Sequence, residues 1–156
     1  MPKYEPLPPA HPERPIIAIG VNDVIAVEDP HAQGTLRRIS ARGKWARELV
    51  IPDGVAELIR ELGEHYNIVW ASEWGPNAHY AFENVLGLPH EPWPYLPVQF
   101  DKLNTIVRYS KDAPWIWIDS PLVDLSALPE SPGGMIIRVD PEKGLQRSDV
   151  DFLLTA

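Results

Sequence analysis

The sequence predicts an α/β protein of three layers, with a parallel sheet between two layers of helices and a small β-hairpin inserted after the first strand. Short apolar runs that end in small or polar residues alternate along the chain with segments whose apolar residues recur every three or four positions. Strands that alternate with helices in this way pair in parallel, because each helix returns the chain to the same end of the sheet. The length of 156 residues suits one main domain.

The composition excludes several kinds of site and partner. The chain has no cysteine, so disulfides, thiolate metal sites and cysteine nucleophiles are ruled out. Fourteen basic and 22 acidic residues give a net charge of −8, which argues against general affinity for nucleic acid or anionic membranes. No apolar run reaches the roughly 20 residues of a membrane span, and the start of the chain lacks the apolar core of a signal peptide. We therefore expect a soluble, cytoplasmic protein with no membrane partner.

Prolines crowd residues 1–15, which are expected to form an extended arm because proline fixes φ and has no N–H for a helix or a central strand. The α/β domain is expected to span residues 16–156. It opens with an apolar stretch, typical of a buried strand, that is broken by Gly20, Asn22 and Asp23. The ligand crevice of an open parallel sheet lies at such strand ends, so functional residues are expected here first.

The next segment is expected to form the hairpin, with residues 35–40 paired to residues 45–51 above the strand ends. Its basic residues favour a solvated hairpin, and an anion or partner contact is the alternative. The basic residues are Arg37, Arg38, Arg42, Lys44 and Arg47. A helix should follow Pro52, because four apolar residues then form one stripe, namely Val55, Leu58, Ile59 and Leu62.

A second buried strand is expected to end at Ser72, followed by a helix from Asn77 that Gly87 terminates. The proline-rich segment 88–100 predicts an ordered loop, with a short strand at residues 96–99. A third helix should run from residue 101 to residue 110 with Lys102 in its first turn. Because a lysine there opposes the helix dipole, we expect an anion nearby.

The remaining strands are predicted at residues 115–119, with Asp119 directly at the end, and at residues 135–139. Ser148 and Asp151 have the spacing of a capping box for a short final helix.

The polar residues at the predicted strand ends occur in the order of a known phosphotransferase group. That order is Gly20, Asn22 and Asp23, then Ser72, Lys102, Asp119 and Ser120. It resembles the haloacid dehalogenase superfamily, whose fold is Rossmann-like. In that superfamily the first strand ends in Asp-x-Asp-Gly and the second in Ser or Thr, a lysine follows near a helix start, and a later strand ends in one or two acidic residues. The segments 69–74, 86–89, 117–119 and 139–145 resemble its small, nearly cap-less actinobacterial and phage members.

The resemblance implies that the catalytic positions have changed. Gly20 stands where active members carry the nucleophilic aspartate, Asn22 where they carry the general acid and base, and Asp23 where they carry glycine. We therefore expect no catalytic residue and an inactive relative that serves as a binding or regulatory module through protein contacts. The alternative is a Mg²⁺-dependent phosphatase or nucleotidase that uses Asp23, Lys102 and Asp119 around a metal.

Three kinds of binding residue remain as candidates: an anion site, a metal ligand and contacts with a protein partner. Ser72 and Lys102 together suit a phosphate or sulfate, with helix and loop packing as the alternative. Asp119 is a weak candidate metal ligand, because Ser120 stands where a second acid is common. No cofactor is expected, and Mg²⁺ would be the metal only if some phosphatase activity remains. Aromatic residues on loops are candidate partner contacts, although at least half of the six tryptophans should be in the core. These candidates are Trp45, Trp74, Trp93 and Tyr95.

Overall fold

The computed structural model describes residues 6–41, 44–97, 102–111, 113–120 and 134–155, with the side chains of residues 41, 44 and 45 outside that description. Six strands and four helices are defined in this part of the chain. In chain order they are β1 (Ile16–Ile19), β2 (Gly34–Ala41), β3 (Lys44–Pro52), α1 (Val55–His65), β4 (Asn67–Trp70), α2 (Asn77–Leu86), α3 (Lys102–Ser110), β5 (Trp115–Asp119), β6 (Gly134–Arg138) and α4 (Arg147–Thr155). None of these helices has the length and apolar character needed to cross a bilayer.

The main sheet has the order β4-β1-β5-β6, and all of its strands are parallel. Ile19 at the end of β1 lies between Trp70 of β4 and Ile118 of β5. The chain leaves β1 for β4 on one side and later reaches β5 on the other. The carboxyl end of β1 is therefore a point where the strand order reverses, and ligand crevices of open α/β sheets lie at such points.

The alternation of side chains along the strands divides the core between the two faces of the sheet. Ile17 and Ile19 of β1 belong to a cluster that includes buried residues of α1, α2 and α4. Ile16 and Ala18 point the other way and belong to a cluster with Leu103 of α3. Helices thus flank the parallel sheet, and the predicted α/β class is confirmed.

Two helices follow the sequence pattern closely. All four residues of the predicted stripe on α1 are buried, and α2 ends at Gly87, whose φ of 65° is left-handed.

The capping box predicted at Ser148 is wrong, since α4 begins one residue earlier. The Asp149 carboxylate accepts a hydrogen bond from the Gln146 N–H at 2.9 Å, so Gln146 is the capping position and Ser148 lies in the first turn.

The predicted hairpin is confirmed, with Thr35 opposite Ile51 and a bulge between Ile39 and Ala41. Its buried face contributes Ile39 and Leu49 to the main core. Arg37, Arg38 and Arg47 face solvent, as expected for a solvated hairpin. Arg42 of the basic cluster and the side chain of Lys44 lie outside the described residues.

Residues 6–15 form neither helix nor strand, and they are bound to the domain by hydrogen bonds. The buried Asn67 carboxamide accepts the His11 N–H at 2.9 Å and donates to the carbonyls of His11 and Arg14 at 2.7 and 2.9 Å. The Tyr109 hydroxyl donates to the Leu7 carbonyl at 2.7 Å. The described part of the arm therefore follows the amino-terminal end of the sheet.

Candidate functional site

The ends of β4, β1 and β5 place Ser72, Gly20 and Asp119 around the reversal point of the sheet. The Gly20 N–H donates to the Ile118 carbonyl at 2.9 Å, and the Ala71 N–H donates to the Ile19 carbonyl at 2.8 Å. These bonds extend the parallel ladders just past the strands, which aligns the three tips. Ser72 and Asp119 are both buried, at 4% and 6% exposure.

Asp119 is the centre of the polar contacts at these tips. Its Oδ2 accepts hydrogen bonds from Lys102 Nζ at 2.8 Å and from Trp117 Nε1 at 3.0 Å. Its Oδ1 accepts the Ser120 N–H at 2.8 Å. A buried carboxylate is tolerated only when it is paired and hydrogen-bonded, and Asp119 meets both conditions.

This arrangement also explains why α3 begins with a lysine. The sequence predicts an anion near Lys102, and the anion in the structure is the Asp119 carboxylate of the same chain. The lysine is paired through Nζ, so an added phosphate would have to compete with an internal carboxylate for it.

Gly20 packs directly against this carboxylate. A Cβ atom on residue 20 would lie 2.6 Å from Asp119 Oδ1 and 2.8 Å from its Cγ. Nonbonded carbon and oxygen atoms do not approach so closely, so any side chain at position 20 requires Asp119 to move. The Asp119 carboxylate occupies the space that a longer residue at the end of β1 would need.

Asn22 and Ser72 contact Trp74 rather than the Asp119 cluster. The Trp74 indole Nε1 donates to Asn22 Oδ1 at 3.3 Å, and the Trp74 backbone N–H donates to Ser72 Oγ at 3.2 Å. The indole ring also packs against Phe82, with ring centroids 5.4 Å apart. Ser72 and Lys102 share no polar partner among the described contacts.

Asp23 lies in a tight turn after β1. Its φ is 63°, and its backbone N–H donates to the Ala26 carbonyl at 2.7 Å. Partial burial raises the pKa of its carboxyl, the Glu28 N–H opposes this shift, and the Glu28 charge adds to it. No described contact joins Asp23 to Asp119 or to Lys102.

A small open groove of about 190 Å³ lies beside this turn. The hairpin overhangs the strand ends as predicted. Arg47 of β3 lines the groove together with Asn22, which follows β1, and it pairs with Glu28. The other lining residues are Glu73, Trp74 and Asn77. Arg47 lies on β3, Glu73 follows β4 and Asn77 begins α2, so local sequence patterns did not indicate that these three residues line one groove.

The aromatic candidates have different environments. Trp74, Trp93 and Tyr95 are partly buried, and the side chain of Trp45 lies outside the described residues. Trp93 packs on Trp70, with ring centroids 5.5 Å apart. The expectation that at least half of the six tryptophans are core residues is confirmed by three of them: Trp70, Trp115 and Trp117 are 0%, 4% and 2% exposed.

The resemblance to phosphotransferases implies Mg²⁺, and the residues at the strand tips do not fit that ion. Both Asp119 oxygens already accept hydrogen bonds from nitrogen donors, one of them a lysine ammonium. Across the described ranges, no group of three or more histidine, aspartate or glutamate side chains is arranged to hold a metal. Mg²⁺ needs oxygen ligands in an octahedral arrangement, which one lysine-paired carboxylate does not supply.

Comparison with known proteins assigns no family to this geometry. No protein-family model matches the chain, and no match to it was found among curated proteins or among solved structures.

Proposed function

We propose that this chain is a catalytically inactive relative of the haloacid dehalogenase superfamily, with its three-layer Rossmann-like fold, and that it acts in the cytoplasm as a binding or regulatory module through protein contacts. One observation carries the proposal. The space for a side chain on residue 20, where an active relative has its nucleophile, is filled by an Asp119 carboxylate that Lys102 neutralises.

The backbone near the end of β1 supports the resemblance. Asp23 stands where the superfamily motif has glycine, and its φ of 63° is in the left-handed region that glycine adopts without strain. The pairing of Lys102 with Asp119 also agrees with a motif lysine and a motif acid at one site. A left-handed backbone at the position of the motif glycine therefore supports the resemblance, although the residue there is Asp23.

Phosphoryl transfer through an aspartyl intermediate lacks its parts at these tips. Gly20 offers no attacking atom, and the Asn22 amide neither takes up nor releases a proton near neutral pH. Asn22 Oδ1 also accepts the Trp74 indole N–H. The Asp119 carboxylate is already paired with Lys102. To attack a phosphoryl group, it would have to lie within about 3.5 Å of the phosphorus atom in an aligned geometry.

The groove beside Trp74 supports the binding part of the proposal. It joins an indole edge, two carboxamides and two opposite charges at the functional end of the sheet. Indole and guanidinium groups are frequent in interface hot spots because they combine apolar area with hydrogen-bond donors. Trp74 and Arg47 are therefore the first candidate partner contacts. Trp93 and Tyr95, the other candidate contacts, lie on the loop after α2.

Hydrolysis of 4-nitrophenyl phosphate with Mg²⁺ tests the loss of catalysis. We expect no turnover above the buffer rate by the wild-type protein, by Asp119→Asn or by Asp53→Asn, an exposed control. Mg²⁺-dependent turnover that Asp119→Asn abolishes and Asp53→Asn preserves would contradict the proposal. That result would favour the phosphatase or nucleotidase alternative.

Affinity capture from a lysate tests the binding part with matched variants. We expect a protein that wild-type bait retains and that Trp74→Ala and Arg47→Ala lose, since truncating a hot-spot residue costs about 2 kcal/mol or more. Arg147→Ala, an exposed arginine of α4, is the control and should retain that protein. Retention unaffected by either groove substitution would exclude this groove as the contact surface.

A further inference from the structure

A second cavity, of about 190 Å³, lies along the free edge of β4 rather than at the strand ends. The arm forms one wall, the end of α1 forms another, and the loop after α2 forms the third. The residues that bear on its chemistry are His11, Gly63, Tyr66, Ile68, Trp93 and Pro94.

The hydrogen bonds of β4 show which backbone groups face this cavity. Asn67 and Ala71 donate their N–H groups toward β1, to the carbonyls of Pro15 and Ile19. Trp70 points the other way: its N–H donates to the Pro94 carbonyl at 2.9 Å, and its carbonyl accepts the Leu96 N–H at 2.8 Å. Because successive residues of a strand point their backbone groups to opposite sides, the N–H and C=O of Ile68 point to the same side as those of Trp70.

Proline ends the pairing before it reaches Ile68. A parallel strand continued by one step would use the N–H of residue 94 to bond the Ile68 carbonyl, and Pro94 has no N–H. The loop before it is held by His79, whose Nδ1 accepts the Trp93 N–H at 3.3 Å. Neither backbone group of Ile68 has a hydrogen-bond partner among the described residues, so an adjacent donor and acceptor face the cavity.

The chain itself shows which group satisfies such a pair. The Asn67 carboxamide accepts the His11 N–H at 2.9 Å through Oδ1 and donates to the His11 carbonyl at 2.7 Å through Nδ2. A carboxamide has an acceptor and a donor at the separation that one residue of an extended chain presents. A ligand that pairs with both the N–H and the C=O of Ile68 needs the same adjacent acceptor and donor.

We propose that this cavity binds a small carboxamide, whose oxygen accepts the Ile68 N–H and whose nitrogen donates to the Ile68 carbonyl. Its apolar body lies against Trp93, Tyr66 and Pro94. The occupant is a free small molecule rather than an added strand, because the arm and Pro94 close both ends of the free edge. Such a ligand replaces water without losing either hydrogen bond, which is the condition for a gain in affinity. This proposal is independent of the strand-tip site.

Amide chemical shifts of the ¹⁵N-labelled full chain test the proposal, with isobutyramide as the probe and methyl isobutyrate as its matched ester. We expect a saturable shift of the Ile68 amide with isobutyramide, and binding about tenfold weaker with the ester, because the ester lacks the donor for the Ile68 carbonyl. No saturable shift with isobutyramide, or equal binding of amide and ester, would overturn the proposal.

A substitution at Gly63 supplies the second arm of the test. A Cβ at this helical position would meet only ordinary contacts, 3.6 Å from Trp93 and 3.8 Å from Ile68. Gly63→Ala should therefore fold, with a melting temperature at or above that of the wild type, because alanine is the better helix former. Gly63→Val extends further toward the cavity and should abolish the isobutyramide shift in a protein that remains folded. Undiminished binding to folded Gly63→Val would place the probe elsewhere and overturn the proposal.

Discussion

Asp119 accepts hydrogen bonds from three donors that lie at three different positions of the chain. Lys102 comes from the start of α3, Trp117 from the same strand and Ser120 from the residue that follows. At the residue scale this network explains how a buried carboxylate is stable at a strand end. It also explains why the carboxylate is oriented toward Gly20 rather than toward solvent.

Asp23 offers a test of the turn after β1 through pH. Because burial raises its pKa in the folded protein, the folded state holds this proton more tightly than the unfolded state does. Its stabilising contribution is therefore complete below the ordinary pKa of 3.8 and is lost as the pH rises through the folded pKa. Asp23→Asn should match the wild type near pH 3 and exceed it by about 0.5 kcal/mol near pH 6, a small gain because the side chain is only partly buried.

Urea denaturation at the two pH values measures this difference. Asparagine keeps an acceptor for the Glu28 N–H and tolerates the left-handed backbone, so the substitution changes little except the charge. An Asp23→Asn protein that is less stable than the wild type near pH 6 would show that the carboxylate makes a favourable contact there.

The site residues were predictable from the sequence to different extents. Asp119 and Lys102 were identified from their places after a strand and at a helix start, and the anion expected near Lys102 proved to be Asp119. The groove could not be predicted in the same way, since Arg47 and Trp74 lie on elements whose contact depends on how the hairpin folds over the sheet. Local patterns carry no information about such distant pairs.

His79 connects α2 to the loop that follows it. Its Nε2 bonds the Pro89 carbonyl at 2.7 Å, while Nδ1 accepts the indole N–H of Trp70 and the Trp93 N–H. These roles require the neutral ring, protonated on Nε2. At the scale of elements, one buried histidine fixes the loop that forms the wall of the β4 cavity.

Acid should weaken this connection. Burial lowers the pKa of His79 below 6.5, and the His90 charge adds to this shift, whereas the hydrogen bond to the Pro89 carbonyl and the Glu83 charge oppose it. The stabilising contribution of the neutral ring is complete above pH 6.5 and is lost as the pH falls through the folded pKa. His79→Gln should be about 2 kcal/mol less stable than the wild type at about pH 8, and this difference in stability should become smaller near pH 5. A gap that stays constant between these pH values in urea denaturation would contradict the neutral assignment.

Most elements followed from local patterns. The stripe on α1 and the glycine after α2 are complete in the sequence, because each depends on spacing within one helix. The predicted start of α4 was wrong because Ser148 suits a helix start in the sequence, and only the hydrogen bond from the Gln146 N–H to the Asp149 carboxylate shows that Gln146 is the capping position. The packing of residues 7–14 against Asn67 also depends on a contact between distant parts of the chain.

At the scale of the whole molecule, the strand order β4-β1-β5-β6 places Gly20 beside Asp119. The alternation of strands and helices predicted a parallel sheet, and the order of its strands required the three-dimensional structure. That order makes the end of β1 the reversal point, where the Asp119 carboxylate replaces the side chain that Gly20 lacks. The chain thus combines the geometry of an open α/β site with an internal carboxylate that closes it.

The cost of Gly20→Ala in two backgrounds tests this central claim most directly. In the wild-type background we expect a loss of about 3 kcal/mol of unfolding free energy, because the new Cβ collides with the Asp119 carboxylate. In the Asp119→Ala background the same change should cost less than about 1 kcal/mol, because that carboxylate is gone. Equal costs in both backgrounds, measured by urea denaturation, would show that Asp119 does not occupy the space of a side chain at position 20.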